Sequence, residues 1–238
     1  ARSARSSSYW WYVPMVIGAL AMLFPLWWML ALSLETEQRA GAALASGSPF
    51  DALPTDPQFG NYGQAMQEVG TTPWLGFIDA LSNSIVVTVL VVIGTILSSS
   101  LVGTAFARIR FRGRQPTFLL MLATMMLPAQ VTMIPLFILF RSLGWVDTLL
   151  PLIVPAFFGS AFHIFMYRQF IAQLPEALFE AARLDGCGWL ETWWRIIMPL
   201  TRPVAAITAV FTFIFTWNDF MLPLIYLHSE DQATLAVA

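Results

Sequence analysis

The chain has 238 residues, of which 58% are hydrophobic and only 11% charged, with a formal net charge of −2 and a mean hydropathy of +0.69. A soluble domain carries roughly 25% charged residues, so this composition excludes an ordinary soluble fold, and its 19 Phe and 10 Trp exclude a disordered or nucleic-acid-binding chain. With a single cysteine, Cys187, no internal disulfide or Cys-rich metal site can form; the composition is that of an integral membrane protein.

About 20 mostly apolar residues are needed for a helix to cross the hydrocarbon core. Five stretches qualify: Trp10 to Leu32, Ser84 to Ala107, Thr117 to Phe140, Thr148 to Met166 and Val204 to Leu222. Trp10, Trp11, Trp27 and Trp28 stand near the ends of the first, where indoles favour the headgroup boundary. That run is too long for a signal peptide and has no small-residue cleavage site. None of the runs alternates as barrel strands do. The expected fold is all-α, a polytopic helical membrane protein formed as one transmembrane domain over 1–238, with an outer loop of little regular structure over 33–79. The apolar Leu235-Ala236-Val237-Ala238 reads as the start of a sixth span beyond Ala238.

The twelve basic residues are all Arg, and their distribution sets the orientation. With the N-terminus inside, Arg2, Arg5, Arg108, Arg110, Arg112, Arg114, Arg168, Arg183, Arg195 and Arg202 lie inside, leaving only Arg39 and Arg141 outside. This is a strong positive-inside bias. The alternating arginines at 108–114 read as a topological signal in contact with anionic lipid.

Enzyme signatures are missing from the sequence. It has no H-E-x-x-H, no G-x-S-x-G and no lysine with which to build a phosphate-binding loop. Of the two histidines, His163 falls in the fourth span, where a hydrogen-bonded packing role is expected.

The inner segment, about 172–202, carries the run QLPEALFEAARLDGCGWLETWWRIIMPLTRP over residues 173–203. Pro175 and Glu176 suit a helix start, Ala177, Leu178, Ala181, Ala182 and Leu184 form a small apolar stripe, and Gly186 supplies a left-handed stop. A second helix is expected from Trp189 to Met198, ending at Pro199. The result is an amphipathic hairpin with Glu180, Arg183 and Asp185 at its edge.

This segment resembles the coupling motif in the membrane subunits of bacterial ATP-binding-cassette importers, through Glu180-Ala181-Ala182, Asp185-Gly186 and Ile196-Ile197-Met198-Pro199. The E-A-A-x-x-D-G form is similar to the maltose-type carbohydrate branch, with Cys187 where that branch usually has Ala. Trp217-Asn218-Asp219-Phe220 before Pro223-Leu224, Asn83-Ser84, and Pro128 with Pro135 breaking span three extend the resemblance from about residue 80 onward.

The resemblance implies a permease subunit without catalytic residues or a cofactor of its own, in a bacterial inner membrane. Its partners would be a second permease, two copies of an ATPase that binds ATP and Mg, and an external solute-binding protein near the tail from Tyr226. Glu180, Ala181, Ala182, Arg183, Asp185, Gly186 and Pro199 would belong to the ATPase-coupling loop. Trp217, Asn218, Asp219 and Gln130 either line a sugar path or fix helix packing and the partner interface. No metal site and no nucleic-acid contact are expected. Glycerol-3-phosphate or a polyol is the alternative cargo, although Arg141 is the one outer arginine near a span end that suits an anion. A stand-alone secondary transporter is the alternative class; it usually needs inverted repeats or mid-membrane charges, and neither is evident.

Overall fold

A computed structural model describes residues 12–47, 56–68 and 75–237, so Arg2, Arg5, Trp10, Trp11 and Ala238 lie outside the described residues. The chain divides into two compact units, 1–69 and 70–238.

In the first unit, α1 (Tyr12–Ser33) is the expected first span. The segment expected as an irregular loop instead forms α2 (Glu37–Ser46) and α3 (Gly60–Glu68). Ala-rich EQRAGAALAS is intrinsically helical, and α2 closes on Gly47 at φ +64, whose N–H donates to the Ala43 carbonyl. Asn61 Nδ2 donates to the Ser33 and Glu35 carbonyls at 3.0 and 2.8 Å, folding α3 back onto the end of α1.

The second unit is built around α4 (Leu75–Arg108), which has 34 residues. At 1.5 Å per residue it measures about 50 Å, longer than the roughly 30 Å hydrocarbon core. One face carries buried Ser84, Thr88, Thr95 and Ser99, and Thr104 is buried on the other side of the helix. Such small polar side chains let helices approach closely within a membrane. Ser98 Oγ donates to the Ala156 carbonyl at 2.9 Å, and the Ser160 N–H reaches Ser99 Oγ at 3.4 Å.

Span three is not a straight crossing. Its halves, α5 (Arg114–Thr124) and α6 (Ala129–Ser142), meet at 99°. At about 17 and 21 Å, neither half is long enough alone. Pro128, in extended backbone, causes the break, whereas Pro135 sits inside α6 without ending it. Span four is composite, from the short α7 (Leu150–Ile153) through a 3-10 turn over Val154–Phe158 to α8 (Ala161–Ala172).

The inner hairpin contains α9 (Glu176–Leu184) and α10 (Trp189–Thr192). The second helix does not stop at Pro199: it continues through a π turn at Trp193–Ile197 into α11 (Met198–Leu200). Proline lacks an N–H and crowds the carbonyl four residues earlier, and the widened turn just before Pro199 accommodates both. The chain then bends 78° into α12 (Arg202–Trp217). Span five also departs from a continuous helix, since α12 ends at Trp217 and α13 (Met221–Tyr226) restarts after a three-residue break. Among the described residues, three helical stretches can span a membrane as they stand, or five if each bent pair counts as one.

The α4–α8 contact tolerates no added atom at Gly103, where a Cβ would lie 2.6 Å from Tyr167 Cβ and 3.2 Å from the Arg168 nitrogen. Gly103→Ala is expected to destabilise the fold by about 1–3 kcal/mol through overpacking. Gly18→Ala, with nothing within 4 Å, should be neutral or stabilising; thermal unfolding of the two detergent-solubilised variants distinguishes them.

Candidate functional site

The first candidate site is the hairpin over 172–202. Helix α9 buries Phe179 and Ala182, one turn apart, with Phe179 packed in a cluster with Tyr167, Ile171, Ile197 and Val204. Ala177, Leu178, Glu180, Ala181, Asp185 and Gly186 remain exposed, as does Leu184 at 89%. Of the expected apolar stripe, therefore, only Ala182 faces the protein.

Two crossed hydrogen bonds close the helix: the Gly186 N–H donates to the Arg183 carbonyl at 3.1 Å and the Cys187 N–H to the Ala182 carbonyl at 2.9 Å. Gly186 has φ +78, the left-handed geometry this closure requires. Arg183 lies over the Trp189 ring at 5.4 Å, so the two arms of the hairpin touch across the turn. Pro199, exposed in α11, stands apart on the far arm.

Arg108 departs from the expected lipid-facing role. It closes α4, and its side chain is only 12% exposed. Nη1 pairs with Glu176 at 2.7 Å, Nη2 donates to the Ile171 carbonyl at 2.6 Å and also to that of Leu174, and the guanidinium lies 4.2 Å from the Phe179 ring centre. It thus caps the C-terminus of α8 and pairs with the first residue of α9, both favourable placements for those charges. The sequence holds one signal of this: Glu176 follows Pro175 on the same side of the membrane as Arg108. Arg110 and Arg112 remain exposed.

The second candidate site is a cavity of about 650 Å³ bordered by α4, the 3-10 turn, α8, α12 and the tail. Its polar lining includes Ser84, Thr88, Thr95, Ser160, His163, Thr212, Trp217, Asp219 and Thr234. His163 Nδ1 contacts Ser160 Oγ at 3.0 Å, the packing bond expected of it, while its Nε2 is buried without a partner.

Of the four path candidates, Trp217 and Asp219 border this cavity, whereas Asn218 and Gln130 do not. Asn218 Nδ2 donates to the Ile214 carbonyl at 2.8 Å and thereby closes α12. Asp219 Oδ1 accepts the Met221 and Leu222 N–H groups at 3.1 and 3.3 Å and thereby opens α13. Both side chains satisfy backbone at a helix break beside a cavity, where irregular backbone is tolerated at membrane depth. Gln130 is exposed in the first turn of α6.

The tail is held at two places. Asp147, at φ +64, accepts the His228 and Ser229 N–H groups at 2.9 and 2.8 Å, and Ser229 Oγ donates to its other oxygen. Asn83 Nδ2 donates to the Asp231 and Ala233 carbonyls at 2.9 and 3.1 Å, and Ser84 Oγ accepts the Leu235 N–H at 2.8 Å. Asp147 was not singled out by the sequence; an acidic residue three positions after a glycine in a short outer turn is a weak signal.

The bond from the Ser229 side chain, followed by those from the His228 and Ser229 backbone, lowers the Asp147 carboxyl from 3.8 to about 2. A carboxylate depressed in the folded state stabilises it fully above its unfolded value, and that contribution disappears as pH falls through the folded value. A spin label at residue 228, beside the Asp147 bonds, should therefore stay immobile down to about pH 4 and loosen between pH 4 and 2. In Asp147→Ala it should be mobile at every pH, while a label at residue 232 remains held through Asn83.

Residues 99–236 match the family described as the binding-protein-dependent transport system inner membrane component. The chain is 33% identical over 220 residues to the arabinooligosaccharides transport system permease protein of Halalkalibacterium halodurans, covering 92% of this chain and 75% of that one. It is 32% identical over 227 residues to the sn-glycerol-3-phosphate transport system permease protein of Yersinia pestis, covering 94% and 77%. It also superposes, with a TM-score of 0.79 and 27% identity over 100% of this chain and 81% of the other, on a crystal structure of a bacterial ATP-binding-cassette transporter involved in the import of the acidic polysaccharide alginate. The extent of these matches, together with the apolar multi-span architecture, establishes that the chain belongs to the binding-protein-dependent transport system inner membrane component family.

Proposed function

We propose that this chain forms half of the translocation path of a sugar importer, paired with a second, different permease and driven by two cytoplasmic ATPase subunits that bind ATP and Mg. An external solute-binding protein delivers the sugar, and the N-terminus is cytoplasmic. The observation that carries this reading is α9. It is packed on one face through Phe179 and Ala182, is closed by Gly186, and leaves Glu180, Ala181 and Leu184 uncovered beside the charges of Arg183 and Asp185. A short rigid helix of this kind transmits displacement, its alanine allows close approach, and Glu180 offers a carboxylate to a basic residue of an ATPase.

The outer cavity supports a neutral hydroxyl-bearing cargo. Among the described residues its lining includes one carboxylate, Asp219, with hydroxyls and a tryptophan, and no Arg or Lys. A phosphate ester, the cargo named for the Yersinia relative, would favour a cation there. Asp219→Asn keeps a side-chain carbonyl to open α13 and removes only the charge. It is expected to lower sugar uptake severalfold while leaving assembly intact, and unchanged affinity and rate would take Asp219 out of the path.

At the inner site, Glu180→Lys is expected to leave insertion and ATP hydrolysis in place while reducing uptake per ATP by tenfold or more. Gly186→Asp should act likewise, because it adds a second carboxylate beside Asp185 on the exposed turn that closes α9. Parallel uptake and hydrolysis assays in reconstituted vesicles read both. Wild-type coupling in either variant would count against the coupling role.

A further inference from the structure

Helix α4 is fastened at its last residue and, toward its other end, at its ninth and tenth residues. At the inner end, Arg108 holds the last turn of α8 and Glu176 of α9. Toward the outer end, the Asn83 amide holds two tail carbonyls and Ser84 Oγ holds the Leu235 N–H. We propose that α4 is the rod that carries displacement between the coupling helix and the outer tail, with Arg108 and Asn83 as the positioning residues at its two ends. This rests on the importer reading above and adds a route and two residues to it.

The argument is one of stiffness. Helix α4 runs unbroken from Leu75 to Arg108 and contains no proline. The other elements of the second unit that join the two faces are interrupted. The path through α10 and α12 bends 78° at Thr201 and breaks again after Trp217; α5 and α6 meet at 99°; and α7 and α8 are separated by a 3-10 turn and Gly159. A bent or broken path yields at its break, whereas a continuous helix moves as one body.

The rod is also seated without slack. A Cβ on Gly94 would lie 2.8 Å from the Phe157 ring, and one on Gly103 lies as close to Tyr167 as described above. Ser100 Oγ accepts the Trp193 indole N–H at 3.2 Å, so the second arm of the hairpin is tied to α4 as well. Coupling between two sites is reciprocal in binding free energy. A change that α9 imposes on the tail is therefore matched by one that the tail imposes on α9.

The test uses the complete transporter in nanodiscs, in a Cys187→Ala background, with spin labels at residue 231 on the tail and residue 142 at the end of α6. Distances are measured before and after trapping with Mg-ATP and vanadate, and trapped nucleotide is quantified in the same samples. In the parent chain the 231–142 distance distribution is expected to shift on trapping. In Arg108→Gln and in Asn83→Leu the shift should fall to less than half of the parent's at equal trapped nucleotide.

Asn83→Leu leaves the inner hairpin untouched, so it decides the matter if Arg108→Gln fails to assemble. Arg108→Lys, which keeps the charge but loses the fork that reaches two carbonyls, should give an intermediate shift. A full shift in both Arg108→Gln and Asn83→Leu, or in Asn83→Leu alone when Arg108→Gln does not assemble, would overturn the rod. So would a parent chain that traps nucleotide without any shift. A parent complex that traps no nucleotide would overturn the importer reading itself, and the nucleotide assay separates that failure from the others.

Discussion

The inner half of the molecule is organised by one guanidinium held among three helix ends. Arg108 ends α4, donates to the Ile171 and Leu174 carbonyls at and just after the end of α8, and meets the opening residue of α9. Its contacts differ in weight. The ion pair with Glu176 involves a carboxylate that is 55% exposed, and exposed pairs contribute about 0–1 kcal/mol. The charge-assisted bonds to two backbone carbonyls, made by a side chain only 12% exposed, contribute about 1.5–3 kcal/mol each. The carbonyls and the Phe179 ring therefore fix the residue, and the ion pair orients α9 against it.

From that joint the remaining geometry follows. Phe179 is drawn into the cluster with Tyr167 and Ile171 of α8, and Ala182 is buried on the same face, which turns Glu180, Ala181 and Leu184 outward. The turn at Gly186 keeps the helix to nine residues. At the other end of α4, Asn83 and Ser84 brace the tail while Asp147 holds its first residues. Ser84 of that fastening, with Thr234 and Pro223, is among the residues that line the cavity.

Much of this was legible in the sequence, and the remainder was hidden for identifiable reasons. Hydropathy located α1 and the apolar body of α4, because a long unbroken apolar run has no other stable home than a bilayer. Pro128 and Gly186 were readable because each dictates a backbone geometry. Pro135 and Pro199 misled, since a neighbouring helix turn or a widened turn can absorb a proline. The break after Trp217 was missed because Asn218 and Asp219 satisfy the freed backbone with their own side chains, leaving the hydropathy of the run unchanged. Arg108 was hidden by company: four alternating arginines read as one signal of orientation, and only three-dimensional packing sets the first apart.

The central claim is that this chain works as the membrane half of a machine whose motor lies elsewhere. It is tested most directly by tagging the chain in its host, extracting it gently and identifying what copurifies by mass spectrometry. Recovery of an ATPase subunit together with a second permease, both still recovered with Glu180→Lys while uptake is uncoupled from hydrolysis, is the predicted result. Recovery of this chain alone, stable and monodisperse, would contradict the account and return residues 172–202 to a hairpin lying on the membrane surface.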